Sequence, residues 1–350
     1  MLLGPSSERR FRAWSRVRSE GMQHQSVGDT VPACAFALGR IRPACMSDLS
    51  FGIATGAKSG DVGALESLPI DSLWVGGHVA SVNPTPEVMV ELVWLAARTE
   101  RVRVGTSILL LPLYPPAIVA KQVADLDNAS HGRITLGVGI GGEYPGEFRA
   151  CHVPIEERGP RTDEAIELVR KLWTGEPVDH AGPYYAMCDV RVHPPPVQVG
   201  GPPIVVAGRK PPAMRRAARL GDGWMPYLYS PRRYAESVAT IRAVADEMGR
   251  DLTGFEWFAF VFVNVDSDAA RARDEAAGFL GGTYQTGDFE AMIRSVAAVG
   301  NPDDVTATLQ AFVDAGARHF IFVPASRDGS ARVVDRLFGE VVPRLRVGDS

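Results

Sequence analysis

Hydrophobic and polar positions follow two different periods along most of the chain, and these periods predict strands and helices in regular succession. Short apolar runs, which are typical of buried parallel strands, occupy residues 51–54, 72–75, 102–111, 133–138, 204–207, 223–225, 256–265 and 318–324. The segments between them carry apolar residues at helical spacing, most clearly over residues 156–173. Eight alternating units in about 300 residues predict an α/β fold, a (β/α)8 TIM barrel with insertions.

Two regions depart from this alternation and predict insertions. Residues 178–192 predict an irregular hairpin, and the run of prolines over residues 194–196 that closes it argues against a barrel strand. Residues 288–299 and 303–315 predict two helices between the last two barrel strands.

The first 45 residues lack a sustained apolar period and contain seven Arg and no Lys. Their one apolar run, residues 33–38, is too short to cross a membrane. We therefore expect a disordered N-terminal extension over residues 1–45, followed by a barrel domain over residues 46–350. Met46, just before the first strand, is a candidate for the true start.

Composition narrows the function classes. With 37 basic and 41 acidic residues, the net charge of −4 offers no broad surface for nucleic acid. The four cysteines have no C-x-x-C spacing and no histidine at metal-ligand spacing, which predicts reduced thiols and no metal site. We expect a cytoplasmic protein that binds a small-molecule substrate, with no membrane partner.

In a TIM barrel the loops after the strands share one face, where active sites lie. The fourth predicted strand ends in Gly139, Gly141 and Gly142, whose backbone N–H groups would approach a phosphate closely. The spacing also fits G-x-G-x-x-G, but residues 143–146 predict continued loop where a dinucleotide fold needs a helix. No Gly-Lys-Ser/Thr follows, so a P-loop is excluded.

A second candidate anion site is Gly208-Arg209-Lys210, which follows the fifth strand and precedes a helix. Backbone N–H groups, the helix dipole and two cations would converge there. The alternative interpretation is a polar helix cap with two solvated cations.

Candidates for proton transfer are His78, at the end of the second strand, and Glu143, the acid inside the glycine loop. An imidazole titrates near neutral pH and can give or take a proton during a reaction. A structural histidine and an exposed loop carboxylate are the alternative interpretations.

Five strings in order resemble the bacterial luciferase-like monooxygenase superfamily, and most closely its branch of oxidoreductases that depend on coenzyme F420, a deazaflavin. They are Asp-Ser-Leu-Trp-Val (residues 71–75), Glu-Arg-Val-Arg-Val-Gly-Thr-Ser (100–107), Gly-Arg-Ile-Thr-Leu-Gly-Val-Gly (132–139), Glu-Arg-Gly-Pro-Arg (157–161) and Ala-Arg-Leu-Gly-Asp-Gly-Trp (218–224). The resemblance covers residues 48 to 345 and agrees with the barrel predicted from the periodicity.

This resemblance implies a flavin-type ring in the barrel mouth, with its phosphate near the glycine loop and the loop after the fifth strand. It implies a non-proline cis peptide behind the ring, which the matching string places at Ser107–Ile108. The implied cofactor contacts are Thr106, Ser107, Ile108, Gly139, Ile140, Gly141, Gly142, Ala207, Gly208, Arg209 and Lys210.

Two departures from the family pattern affect the expected chemistry. Relatives commonly have Asp-His where this chain has Gly77-His78, so one polar contact to the ring is missing. Members that act on sugar phosphates carry a Glu where this chain has Gly142, with Glu143 displaced by one residue, which argues against that substrate class.

The resemblance and the candidate residues together predict an F420-dependent oxidoreductase that transfers a hydride between the deazaflavin and a small organic substrate. His78 would donate or accept the proton. Two alternatives remain open, an FMN-dependent luciferase-like monooxygenase and a barrel that binds a cofactor without turnover. The resemblance also implies a homodimer that associates through barrel helices.

Overall fold

The computed structural model describes residues 49–55, 62–284, 293 and 295–348. The predicted extension over residues 1–45 and the candidate start at Met46 lie outside these residues. Within the described ranges no helix is both long enough and apolar enough to cross a membrane.

The described strands form one closed parallel barrel with small additions. They are β1 (Ser50–Thr55), β2 (Ser72–Val75), β3 (Arg103–Thr106), β4 (Leu109–Leu110), β5 (Ile134–Gly139), β6 (Val178–Ala181), β7 (Ala186–Val190), β8 (Ile204–Ala207), β9 (Gly223–Met225), β10 (Glu256–Val265), β11 (Ala297–Gly300) and β12 (His319–Pro324). Eight of them close in the order β1-β2-β3-β5-β8-β9-β10-β12, and β12 pairs back with β1. Strand β4 pairs with β5, β11 pairs with the end of β10, and β6 and β7 form an antiparallel hairpin.

Helices connect the strands around the outside of the barrel. They are α1 (Val62–Glu66), α2 (Val88–Ala96), α3 (Pro116–Ala129), α4 (Pro145–Ala150), α5 (Arg158–Leu172), α6 (Pro211–Leu220), α7 (Pro231–Glu247), α8 (Ala269–Tyr284), α9 (Pro302–Asp314) and α10 (Ser330–Arg336). Several begin at proline, whose fixed φ suits the first helical position and whose missing N–H costs nothing there. At the start of α9, the Asn301 side chain also accepts bonds from the backbone N–H groups of Asp303 and Asp304, at 2.9 and 3.0 Å.

The (β/α)8 barrel predicted from the sequence is confirmed, with all eight barrel strands and the hairpin in their expected places. The third predicted strand is divided into β3 and β4, and the peptide bond between Ser107 and Ile108 is cis, as expected.

The prediction of a helix over residues 288–299 is wrong at its end, because Ala297–Gly300 form β11. The backbone of this segment pairs with Phe262–Val265 of β10, and this tertiary pairing outweighs the helical propensity of alanine. Residues 285–292 of the same region lie outside the described residues.

The barrel interior is filled in its lower part. At the base, Arg103 donates to the Glu256 carboxylate at 2.7 Å and to the Thr135 hydroxyl at 2.6 Å. Above it the Trp74 and Phe258 rings meet edge to face, with centroids 5.2 Å apart. The same cluster contains the partly exposed Ala54, Ile108 and Phe260 and the buried Val205, Ala207, Met225 and Ile321. A ligand that enters the mouth therefore stops above the aromatic layer.

Two titratable groups at the base respond to burial. Burial lowers the pKa of His319 below its ordinary value, and the nearby Glu256 charge offsets this only in part. Burial acts to raise the pKa of Glu256, but the charge and hydrogen bonds of Arg103 outweigh it and hold that pKa below its ordinary value. In both cases the unfolded chain binds protons more readily than the folded barrel, so acidification favours unfolding.

We expect the unfolding free energy to fall as the pH is lowered from about 7 to about 5, because His319 takes up its proton in the unfolded chain first. In His319→Gln the slope of the unfolding free energy against pH should be smaller, by at most the equivalent of about one bound proton per molecule. Urea unfolding at several pH values measures it, with exposed His193→Gln as the control. An unchanged slope in His319→Gln would show that other groups govern the acid response.

Candidate active site

The loops that follow β2, β4, β5, β8 and β9 surround the mouth of the barrel. They bring together the candidate His78, the glycine loop at residues 139–142 and the cations at residues 209–210, which are far apart in the sequence. One side of the mouth carries groups that can move a proton, and the other carries positive charge.

The proton-transfer side is built on a pair between His78 and Glu147. The Nδ1 atom of His78 lies 3.4 Å from each carboxylate oxygen of Glu147. The Glu147 residue is fully buried, at 0% exposure, while the His78 side chain is 22% exposed. The Tyr144 ring packs edge-on against the imidazole, with centroids 4.8 Å apart. The imidazole is therefore held on one side and accessible on another.

Glu147 was not among the residues predicted from the sequence. It lies in the first turn of α4, where a continued loop was expected. The helix begins there because Pro145 occupies its first position with a φ suited to the helix. The Tyr-Pro step followed by an acid two residues later is the sequence signal that would have identified it. The predicted acid, Glu143, is exposed on the loop just before this helix.

A second acid near the mouth is already engaged. The Tyr114 hydroxyl donates to one oxygen of Glu87 at 2.6 Å, while the other oxygen accepts from the Val90 backbone N–H and caps α2. Burial, followed by this hydrogen bond, raises the pKa of Tyr114. Tyr114 thus remains a protonated donor, and the pair fixes the start of α2 beside His78.

The predicted contacts at the third strand form the floor of the mouth. Thr106 is buried and its hydroxyl donates to the Gly137 carbonyl at 2.6 Å, so its side chain supports the strand pair from within. Ile108, just after the cis peptide, lies over Gly139 so closely that a Cβ atom at Gly139 would collide with its side chain. Because Gly139 has no side chain, Ile108 can lie against it, and together they form a flat, apolar surface at this depth.

The glycine loop next to this floor has an unusual cationic neighbour. Gly141 and Gly142 adopt left-handed φ values of 62° and 113°, which glycine tolerates best. A Cβ atom at Gly142 would lie 3.2 Å from the Nε atom of Arg158. This Nε is buried and has no hydrogen-bond partner among the described residues, while Nη1 of the same side chain donates to the Ile155 carbonyl at 2.6 Å.

A buried, unpartnered N–H on a cation costs free energy, and an anion at the glycine loop would remove that cost. Arg158 is therefore a candidate contact for a ligand phosphate. It belongs to a string that carried the family resemblance, but nothing in the local sequence showed that its side chain would point to the glycine loop.

The loop after β8 places further cations at the rim. The Arg209 guanidinium stacks 4.4 Å from the centre of the Tyr227 ring. The backbone carbonyl of Arg209 accepts a hydrogen bond from the Tyr229 hydroxyl at 3.2 Å. Lys210 is exposed and precedes the first residue of α6. Neither cation forms an ion pair with a carboxylate within the described ranges, so both are available to an anionic ligand.

A separate cavity of about 710 Å³ lies between α8 and the loop after β12. Two of its arginines are already paired with two acids, because Arg332 and Arg271 contact Glu275 at 2.6 and 3.1 Å and Arg332 also contacts Asp266. Charge compensation makes this cavity a weaker anion site than the glycine loop. In the part of the chain that the structure describes, no three His, Cys, Asp or Glu side chains cluster as metal ligands would.

Comparisons with known proteins agree with this architecture. The family model described as luciferase-like monooxygenase matches residues 62–319. An F420-dependent glucose-6-phosphate dehydrogenase from Beutenbergia cavernae is 32% identical over 308 residues, which cover 80% of this chain and 90% of that protein.

Solved structures show the same fold. An F420-dependent secondary alcohol dehydrogenase in complex with an F420-acetone adduct superposes with a TM-score of 0.74 at 22% identity, covering 85% of this chain and 99% of that one. The oxygenating constituent of 3,6-diketocamphane monooxygenase from Pseudomonas putida, in complex with FMN, gives a TM-score of 0.70 at 18% identity, covering 86% of this chain and 100% of that one. The fold is thus shared by proteins solved with either cofactor.

The unpartnered Nε of Arg158 generates a prediction that requires no cofactor. Inorganic phosphate should raise the melting temperature of the wild-type protein, because a ligand that binds only the folded state stabilises it. In Arg158→Met this shift should be largely lost, while the unfolding free energy without phosphate stays within about 1 kcal/mol of wild type, because losing the bond from Nη1 to Ile155 is offset by removing the buried, unpartnered N–H. Thermal unfolding with and without phosphate measures both quantities.

The matched control is Arg149→Met, which removes an exposed arginine from α4. It should keep the wild-type phosphate shift. A full phosphate shift in Arg158→Met would place the anion site away from the glycine loop.

Proposed function

Because the chain belongs to the luciferase-like monooxygenase family, we propose that it is an oxidoreductase that uses coenzyme F420 to transfer a hydride to or from a small organic substrate. The relative from Beutenbergia cavernae, which is named for its dependence on F420, aligns along most of both chains. Its name supports the choice of cofactor within a family that also includes flavin enzymes.

The observation that carries the proposal is the fit between the mouth and a flat cofactor with an anionic tail. The floor formed by Ile108, Gly139 and Ala207 is apolar and nearly free of projecting side chains, as a planar ring system requires. The buried Nε of Arg158 lies beside Gly142, three residues after Gly139, and lacks a partner among the described residues. A phosphate beside Gly142 would supply that partner.

Each part of the site then has a task. The glycine loop and Arg158 would hold the phosphate, and Arg209 and Lys210 would attract the anionic chain that continues from it. Ile108 would support the ring from below. When bound, coenzyme F420 supplies a carbon that accepts or gives a hydride, and His78 would take or give the accompanying proton.

An FMN-dependent monooxygenase is the second candidate, because a structural neighbour is in complex with FMN. FMN ends at its phosphate, whereas F420 continues through a lactyl group into a chain of glutamates. The cations at residues 209 and 210 stand at the rim without carboxylate partners in the described ranges, which favours the longer anion. A barrel that binds the cofactor without turnover is the third candidate, and reduction or oxidation of bound F420 by any substrate would eliminate it.

The proposed substrate is a small organic molecule other than a sugar phosphate. The relative is named for glucose 6-phosphate. This chain, however, has Gly142 where the resemblance expects a glutamate in enzymes that act on sugar phosphates. The neighbouring Glu143 is exposed, and the carboxylate that meets His78 belongs to Glu147.

Fluorescence titration of the cofactor-free protein with both cofactors tests the proposal. We expect a dissociation constant of about 1 μM or lower for F420 and a value at least about tenfold higher for FMN, because only F420 reaches the rim cations. Tighter binding of FMN would favour the monooxygenase.

The double variant Arg209→Ala/Lys210→Ala sharpens this comparison. It should weaken F420 by about tenfold or more through the loss of two charge-assisted contacts, and it should change FMN less. Arg215→Ala, in the middle of α6 and away from the mouth loops, is the control. An equal loss for both cofactors would show that the two cations bind only the shared phosphate.

A further inference from the structure

We propose that Glu147 is a positioning residue that holds His78 as the Nδ1–H tautomer, so that Nε2 is the atom that accepts a proton from a substrate hydroxyl. The assignment rests on the proposed function for its chemical consequence. Its structural basis, the contact of Nδ1 with both Glu147 oxygens at 3.4 Å, is independent of any cofactor.

The burial of Glu147 indicates which ring nitrogen of His78 holds the proton. Its carboxylate is fully buried, and His78 is the one hydrogen-bond donor to it within the described residues. An ionised carboxylate in such a place needs a donor, since burial without one costs several kcal/mol. An ionised Glu147 therefore requires the proton on Nδ1, whereas a protonated Glu147 would donate to a bare Nδ1, and the test below distinguishes the two. A neutral imidazole carries one N–H, which leaves a lone pair on Nε2.

Two contacts hold His78 in place at the mouth. The edge of Tyr144 lies against the ring, and the His78 backbone N–H donates to the Pro86 carbonyl at 3.2 Å. A Cβ atom at Gly77 would collide with the same carbonyl, so the departure from the family's Asp-His step permits this close approach. The loss of one polar contact at residue 77 is thus accompanied by a fixed backbone at His78.

The other titratable groups that face the pair do not compete for the proton. Burial, with smaller contributions that include the Glu147 charge, raises the pKa values of Tyr114 and Cys151. Burial and the charges of Glu143 and Glu147 likewise raise the pKa of Tyr144. These three groups are neutral donors at pH 7, Glu87 already accepts from the Tyr114 hydroxyl, and Glu143 is exposed to solvent.

The Nε2 atom has no hydrogen bond to any described residue, and the His78 side chain is partly exposed. In alcohol oxidation, the C–H bond of the carbinol carbon would break and its electron pair would pass as a hydride to F420. The O–H bond would break and its proton would pass to Nε2, while the C–O bond becomes C=O. The imidazolium formed would be stabilised by Glu147 until it loses its proton to solvent, and the reverse sequence would reduce a ketone.

Nitrogen-15 NMR of the cofactor-free protein tests the tautomer directly. With histidines labelled in the ring and His78 assigned by comparison with His78→Gln, we expect the Nδ1 signal of a protonated nitrogen and the Nε2 signal of a bare one at about pH 8. A protonated Nε2 in the wild-type protein would overturn the proposal, because Glu147 would then be the donor.

Two variants separate positioning from general structural support. In Glu147→Gln the amide can both donate and accept, so the two His78 signals should move towards a mixture of tautomers. The control Glu167→Gln, on the exposed face of α5, should keep the wild-type signals. Unchanged signals in Glu147→Gln would contradict the assignment.

The outcome for the proposed function is separate. Failure of the wild-type protein to bind F420 would refute the cofactor while leaving the tautomer result intact. Normal F420 binding together with the wrong tautomer would refute only the role of Glu147.

Discussion

The parallel pairing of β12 with β1, which starts at Ser50 and His319, closes the sheet, and every other feature of the site depends on that closure. In a closed parallel barrel the carboxyl ends of all strands lie on one rim. Loops from widely separated parts of the chain, such as those that carry His78, Gly142 and Arg209, therefore lie on the same rim. The strand order therefore brings the candidate site residues to one end of the barrel.

The barrel interior then determines how deep a ligand enters. Bulky rings from Trp74 and Phe258 fill the middle, above the ion pair between Arg103 and Glu256. Small residues near the rim, such as Ala207, leave room that close packing would otherwise remove. This change in side-chain size along the barrel axis is what turns a packed core into a shallow, flat site. The candidate anion-binding groups, Arg158, Arg209 and Lys210, belong to the loops and helix that follow β5 and β8.

The sequence predicted the barrel well because buried parallel strands are short apolar runs with clear boundaries, as residues 72–75 and 204–207 illustrate. It predicted the glycine loop and the cis peptide through local strings. It did not predict Glu147, because residues 143–146 have the composition of a loop and the helix that starts at Pro145 is short. It did not identify Arg158 as a candidate, because a missing hydrogen-bond partner can be seen only in the folded structure. Strand β11 was missed for a related reason, because its structure depends on pairing with β10.

The central claim is that a flat cofactor lies on the floor above the aromatic layer, and binding of F420 to Ala207→Phe tests it most directly. Ala207 is the last residue of β8 and packs with that layer, so a phenylalanine there would occupy the space above the layer that is assigned to the ring. We expect no detectable F420 binding at concentrations that saturate the wild-type protein, with a melting temperature within a few degrees of wild type. Wild-type affinity in Ala207→Phe would show that the cofactor binds elsewhere and would contradict this account.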